Sequence, residues 1–124
     1  MNNLDLRRKA ELLRILAHPT RLAILEELAP KAKCVTDIRD LLGVSQPNVS
    51  QHLTALRRER IVDFHENGKL RCYYITRPKL AKALLRLLSG EYPIVTRSAQ
   101  AIRREGARRE TESVAPRKRN VCTV

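Results

Sequence analysis

A mainly α fold with a small β-hairpin wing, a winged helix-turn-helix, is the class this 124-residue sequence predicts. Three observations carry it. A short helical stretch, Val35 to Leu42, runs into Gly43 and then into the capped amphipathic stretch Ser45 to Arg58, the order of a helix-turn-helix. Asn67-Gly68 follows at once between two β-rich runs, a strong short hairpin signal. The charge balance is 25 Lys and Arg against 13 Asp and Glu, a net +12 that favours polyanionic partners such as nucleic acid.

The elements follow in order. Leu4 to Ala17 reads as a helix whose Leu12, Leu13, Ile15 and Leu16 make a broad apolar face, and His18-Pro19 breaks it. Pro19 opens a second helix to about Leu28, with Leu22, Ile24, Leu25 and Leu28 inward and Arg21, Glu26 and Glu27 outward. Pro30 ends it. The third helix, Val35 to Leu42, turns Val35, Ile38, Leu41 and Leu42 inward, and Gly43 supplies the positive φ that closes it. In the fourth, Ser45 is the N-cap, Pro47 sits where a missing N–H does no harm, and Val49, Leu53 and Leu56 form the buried stripe. Ile61 to Glu66 and Lys69 to Ile75 then pair as a hairpin across a type I′ turn. That turn would set Glu66 opposite Lys69, Phe64 opposite Arg71, Asp63 opposite Cys72 and Val62 opposite Tyr73. Val62, Phe64 and Tyr73 share one face; Ile61, Leu70, Cys72 and Tyr74 share the other. Pro78 begins a last strong helix through Leu80, Ala83, Leu84, Leu87 and Leu88 to Ser89-Gly90. Its stripe and that of the first helix exceed what one small domain needs, so a homodimer built from the terminal helices is expected; closure of the monomer core is the alternative. Residues 1–90 thus read as a DNA-binding and dimerisation domain. From Glu91 to Val124 the chain reads as a basic, largely disordered tail, with one weak helix hinted at by Ile94, Val95, Ala99 and Ile102.

The candidate site is the outward face of Ser45 to Arg58. At about 100° per residue, Pro47, Gln51, Thr54 and Arg58 lie opposite the buried stripe, flanked by Asn48, Ser50 and Ala55. Ser45, Gln46, Asn48, Ser50, Gln51, Thr54, Arg57 and Arg58 are the expected DNA-binding residues of this helix. Amides can bridge adenine N6 and N7, and arginine can hold guanine or phosphate. Lys69 and Arg71 at the wing tip are expected on phosphates or in the minor groove. A solvated helix face and an ordinary surface hairpin are the bland alternatives, and the succession of the two elements argues against them.

Other classes find little support. There is no Gly-rich phosphate loop, nucleophile elbow or carboxylate pair set among His or Cys, so no enzyme is expected. Phe64, Tyr73, Tyr74 and Tyr92 are the only aromatics, few for an RNA-stacking module. No apolar run approaches the ~20 residues of a membrane span, and the charged amino terminus has no signal-peptide core. A cytoplasmic protein without membrane contact is expected, and Cys34, Cys72 and Cys122 suit a reducing compartment.

LAHPTRLAILEEL, CVTDIRDLLGVSQPNVSQHLTALRRERIV and the wing GKLRCYYI together resemble the ArsR/SmtB family of winged helix-turn-helix repressors, over roughly residues 8 to 90. The resemblance implies a homodimer on a two-fold symmetric, inverted-repeat operator of double-stranded DNA, released by an inducer, typically a metal or metalloid ion and in some members an oxidant, persulfide or small organic molecule. The family's thiolate pattern Cys-Val-Cys-Asp is here Cys34-Val35-Thr36-Asp37, with one thiol kept. The Asp and His of the family's last-helix zinc site are missing between Pro78 and Gly90, and the persulfide-sensing position near Gln100 has no thiol.

Three cysteines nevertheless suit a soft trivalent centre. In winged domains a short strand before the third helix often pairs with the second wing strand, so Cys34 and Cys72 could be neighbours, a placement the sequence leaves open, and Cys122 of either subunit could then close an arsenite or antimonite site. No cofactor is required for DNA binding itself. Plain packing of Cys72, a two-thiol redox pair, a small organic inducer, no inducer at all, and a non-specific architectural role remain open alternatives. His52 is expected packed or locally bonded, His18 as a cap and His65 near phosphate.

Overall fold

The computed structural model describes residues 2–111. Its elements are α1 (Asn3–Leu16), α2 (Pro19–Leu28), β1 (Lys33–Cys34), α3 (Val35–Leu42), α4 (Gln46–Arg58), β2 (Val62–Asn67), β3 (Leu70–Ile75), α5 (Pro78–Ser89) and α6 (Ala99–Thr111). A first unit ends at Gly90 and a second begins at Glu91. The first is a winged helix-turn-helix. None of the helices in the described residues is long and apolar enough to cross a membrane.

The helical stripes close on one core. Ile24, Leu25, Ile38, Val49, Leu53 and Leu56 are fully buried, so α2, α3 and α4 form a tripod around them. Each such side chain contributes roughly 1.5–3 kcal/mol through burial. Ile61, Val62 and Tyr73 extend the core under the wing. Gly43 closes α3 in the left-handed region (φ 65°), its N–H donating to the Arg39 carbonyl at 2.9 Å. Ser45 caps α4, its Oγ accepting from the Asn48 N–H at 3.4 Å.

Several expectations need correction. Leu41 is 56% exposed, because it falls at the edge of the Val35, Ile38 and Leu42 stripe and borders the open cavity beside Cys34 and Cys72. Arg21 is half-buried, since it reaches back across the α1–α2 break to donate to the Ile15 carbonyl at 2.9 Å. The hairpin register is shifted by two residues. Gly68 takes positive φ (68°) and Lys69 does not, which is the type II′ pattern with Gly at the first central position. Asn67 therefore stays in β2 and pairs with Leu70, Glu66 with Arg71, His65 with Cys72, Phe64 with Tyr73, Asp63 with Tyr74 and Val62 with Ile75. A shift of two preserves the side-chain faces, and Phe64 and Tyr73 do share one, with ring centroids 5.3 Å apart.

β1 completes an antiparallel sheet of order β1-β3-β2, which puts the second wing strand in the middle. In α5 the inward residues are Ala81, Leu84 and Leu85. Leu87 and Leu88 stay exposed, as do Leu4, Leu6 and Leu13 on α1.

In the second unit, residues 91–98 have no regular structure, whereas α6 runs through Thr111. The helix hinted at in the tail thus starts later than Ile94 and extends further than Ile102, through Thr111. Local preference explains it: Ser98 Oγ accepts from the Ala101 N–H at 3.1 Å, Arg97 pairs with Glu105, and Ala and Arg are good helix formers. Residues 112–124, including Cys122, lie outside the described residues, so the expectations for that part of the tail do too.

Candidate nucleic-acid interface

Burying Val49, Leu53 and Leu56 leaves the opposite face of α4 to solvent. Gln46, Asn48, Gln51, Thr54, Arg57 and Arg58 are exposed there, with the Ser45 cap at the helix start and Ser50 half-buried on the flank. Several are already oriented. Gln46 Oε1 accepts from an Arg39 guanidinium nitrogen at 3.0 Å, a bond from α3 to α4. Thr54 Oγ1 donates to the Ser50 carbonyl at 2.8 Å, leaving its lone pairs outward. A shallow groove follows this face, lined by Arg21, Pro47, Ser50, Gln51, Thr54 and Arg58.

A second groove, of about 630 Å³, separates the end of α4 from the wing. Arg57 and Arg71 meet there over one ring: their guanidinium carbons lie 4.5 Å and 4.4 Å from the Phe64 centroid. Arg57 Nε also donates to Asp63 Oδ1 at 2.9 Å. The Phe64 N–H donates to the same oxygen at 2.8 Å, and these two bonds hold the Asp63 carboxyl below the usual carboxylate range. Lys69 sits exposed at the turn, beyond the groove. Sequence reasoning missed Arg21, Arg39, Asp63, Phe64 and a further groove residue, Arg60. No local pattern marks them, since each gains its place only when two elements meet.

The helix is braced from behind by histidines. His18 caps α2, its Nδ1 accepting from the Thr20 N–H at 3.0 Å. His52 packs 4.3 Å from the His18 ring, and its Nδ1 accepts from Arg21 Nε at 3.1 Å. Burial, then the nearby His18 and Arg21, push the His52 pKa down. His65 stacks on Tyr74 on the exposed wing.

The thiols are neighbours. Cys34 and Cys72 are directly paired across β1 and β3, and their sulfurs share an S–H···S contact at 3.1 Å. That contact, burial and the Cys72 and Asp37 charges push the Cys34 thiol up. A cavity of about 450 Å³ opens beside the pair, lined also by Lys31, Lys33, Asp37, Asp40 and Leu41. Among the described residues no group of three His, Cys, Asp or Glu side chains is placed to hold a metal ion.

A helix-turn-helix with an amide- and arginine-bearing second helix, followed by a basic wing, defines the DNA-binding class of winged domains. Comparison with known proteins makes the assignment narrower. Residues 18–63 match the model of the bacterial regulatory protein arsR family. The repressor SmtB of Mycobacterium tuberculosis is 40% identical over 75 residues, 60% of this chain and 56% of the relative, so the chain spans little more than half of that relative's length. The crystal structure of the repressor PagR of Bacillus anthracis is 37% identical, with TM-score 0.60, over 69% of this chain and 99% of PagR. A homodimeric winged helix-turn-helix DNA-binding domain from Mycobacterium bovis is 26% identical, with TM-score 0.63, over 72% of this chain and 87% of that domain. The chain belongs to the ArsR/SmtB family of transcriptional repressors.

Proposed function

We propose that this chain acts in the cytoplasm as a homodimeric repressor on an inverted-repeat operator of double-stranded DNA, and leaves it when a thiophilic metalloid loads the Cys34–Cys72 pair. It is a regulator and not an enzyme in this reading, and its DNA binding needs no cofactor. The observation that carries the DNA reading is the exposed Gln46, Asn48, Gln51, Thr54 and Arg58 face beside the basic wing. Ser45, Ser50, Arg57, Lys69 and Arg71 complete the contacts. Exposed leucines on α1 and α5, together with the homodimeric Mycobacterium bovis relative, support the dimer.

For the inducer, the support is the 3.1 Å between the two sulfurs and the open cavity next to them. Trivalent arsenic and antimony are soft and prefer thiolates. Each As–S bond formed on arsenous acid replaces an As–O bond, and the thiol proton leaves with the hydroxide as water. Cys34 and Cys72 supply two sulfurs, and the third is assigned to Cys122. The same sulfur separation favours a second reading, a redox pair that closes to a disulfide when an oxidant takes two electrons and two protons.

Selection from a pool of random duplexes tests the DNA reading. A regulator enriches one inverted repeat, preferred over random duplex by a factor of ~10³ or more. Gln51→Ala then relaxes the choice of sequence, whereas Lys69→Ala weakens all sequences alike. Intact affinity and preference in Gln51→Ala would refute the docking face. Arsenite titrated into the operator complex tests the inducer: release is expected, and its loss in Cys34→Ser and Cys72→Ser. Unchanged release in both variants removes the thiol site, and release by hydroperoxide but not arsenite selects the redox reading.

A further inference from the structure

We propose that the groove between α4 and the wing is an anchoring site for the phosphodiester backbone of duplex DNA, in which Arg60 is a ligand and Phe64 the platform that positions Arg57 and Arg71. The inference rests on the DNA reading above and deepens it.

Arg60 is the first observation. It is the only non-glycine among the described residues with positive φ, at 56°. Glycine or asparagine takes that conformation with less strain. The backbone of Arg60 does structural duty: its N–H donates to the Arg57 carbonyl at 2.9 Å, and its carbonyl accepts from Thr76 Oγ1 at 2.6 Å. Neither bond uses the side chain. Arg60 borders this groove and also a second one shared with Glu11 and Glu59, and it forms no ion pair among the described residues. An arginine at a left-handed position that glycine fills with less strain thus leaves its cation unneutralised, and such strain collects at functional sites.

Charge is the second. Arg57, Arg58, Arg60 and Arg71 surround the groove against a single carboxylate, Asp63. Two guanidinium groups converge on the Phe64 ring in spite of their mutual repulsion, drawn by the negative face of the π system. An anion in the groove offsets the repulsion that remains, and guanidinium planes suit phosphate oxygens. Continuity is the third. Thr54 and Arg58 line this groove and also the one that carries Gln51, so a duplex read by Gln51 has its backbone carried on into the arginine groove. Asp63 holds Arg57 while the groove is free, and phosphate competes with it for that arginine.

The test measures binding of the full chain to its selected operator and to a scrambled duplex over a range of KCl, with thermal melting in parallel. Arg60→Gly is expected to melt at the same or a higher temperature. It is expected to bind both duplexes about fivefold more weakly per lost contact near 0.15 M salt, with the salt slope reduced by about 0.9 per contact. Phe64→Leu is expected to weaken both duplexes and Phe64→Tyr to restore them. Asp63→Asn, which keeps an acceptor for the Phe64 N–H, is expected to bind more tightly. Unchanged affinity and salt slope in folded Arg60→Gly would overturn the proposal, and so would a fall in melting temperature that accounts for the lost binding. Failure of the unsubstituted chain to bind any duplex overturns the DNA reading itself, and is told apart because no variant is needed to see it.

Discussion

His52 illustrates how a single side chain ties the reading helix to the rest of the fold. Its Nδ1 accepts from Arg21, which in turn donates to the Ile15 carbonyl near the end of α1. A proton at Nδ1 would remove that acceptor and set two cations face to face, consistent with the lowered pKa. The unfolded chain takes up this proton near the ordinary histidine value of about 6.5, and the folded chain only at lower pH. The stability contributed is therefore full above pH 6.5 and falls as pH drops through 6.5 toward the folded pKa. Melting temperatures should decline between pH 7.5 and 5.5, and His52→Gln, which keeps an acceptor, should flatten that decline. An equal decline in the variant would remove His52 as its cause. Arg60 stands at the other end of legibility. Its identity is plain in the sequence, but its backbone dihedral is decided by how α4 must turn into the wing, and no residue type there announces it.

Elements whose signals are local were read well. α3, the turn at Gly43 and α4 follow from helical period, a glycine and a serine cap, all within a few residues of one another. The hairpin was legible in place but not in register, because Asn-Gly is compatible with two loops that differ by one residue at each end. α6 was masked by composition: a polar, arginine-rich stretch buries little, yet it is helical through capping and propensity. The Phe64 platform depended on cross-strand neighbours that only the observed register supplies. At Gly43 an added Cβ would meet nothing within 4 Å, so Gly43→Ala isolates the cost of the left-handed backbone. It should destabilise by about 1–2 kcal/mol in a denaturant melt. It should also weaken specific DNA binding more than non-specific binding, since this turn sets the angle of α4. No loss of stability would mean that the turn has relaxed to another conformation.

For the molecule as a whole, the apolar side chains fall into a buried set and an exposed set. The helix-turn-helix core is sealed, while Leu13 is 59% exposed and Leu88 56% exposed. Substituting exposed positions of one subunit typically changes folding stability within about 0.5 kcal/mol. Leu13→Glu with Leu88→Glu should thus leave a folded chain, seen by circular dichroism. Sedimentation should find it monomeric, and its preference for an inverted repeat over a single half-site should vanish. A dimer persisting at micromolar concentration would move the interface elsewhere. The core variant Leu53→Ala should behave differently, losing about 2–5 kcal/mol of stability with the interface intact.

Because β3 is the central strand, its alternating side chains serve two neighbourhoods at once. Cys72 faces Cys34 on one side of the sheet, and Arg71, the preceding residue, lies over Phe64 on the other. Their α-carbons are one peptide unit apart, about 3.8 Å. The pleat thus carries sulfur on one face and guanidinium on the other, with no residue between them along the strand.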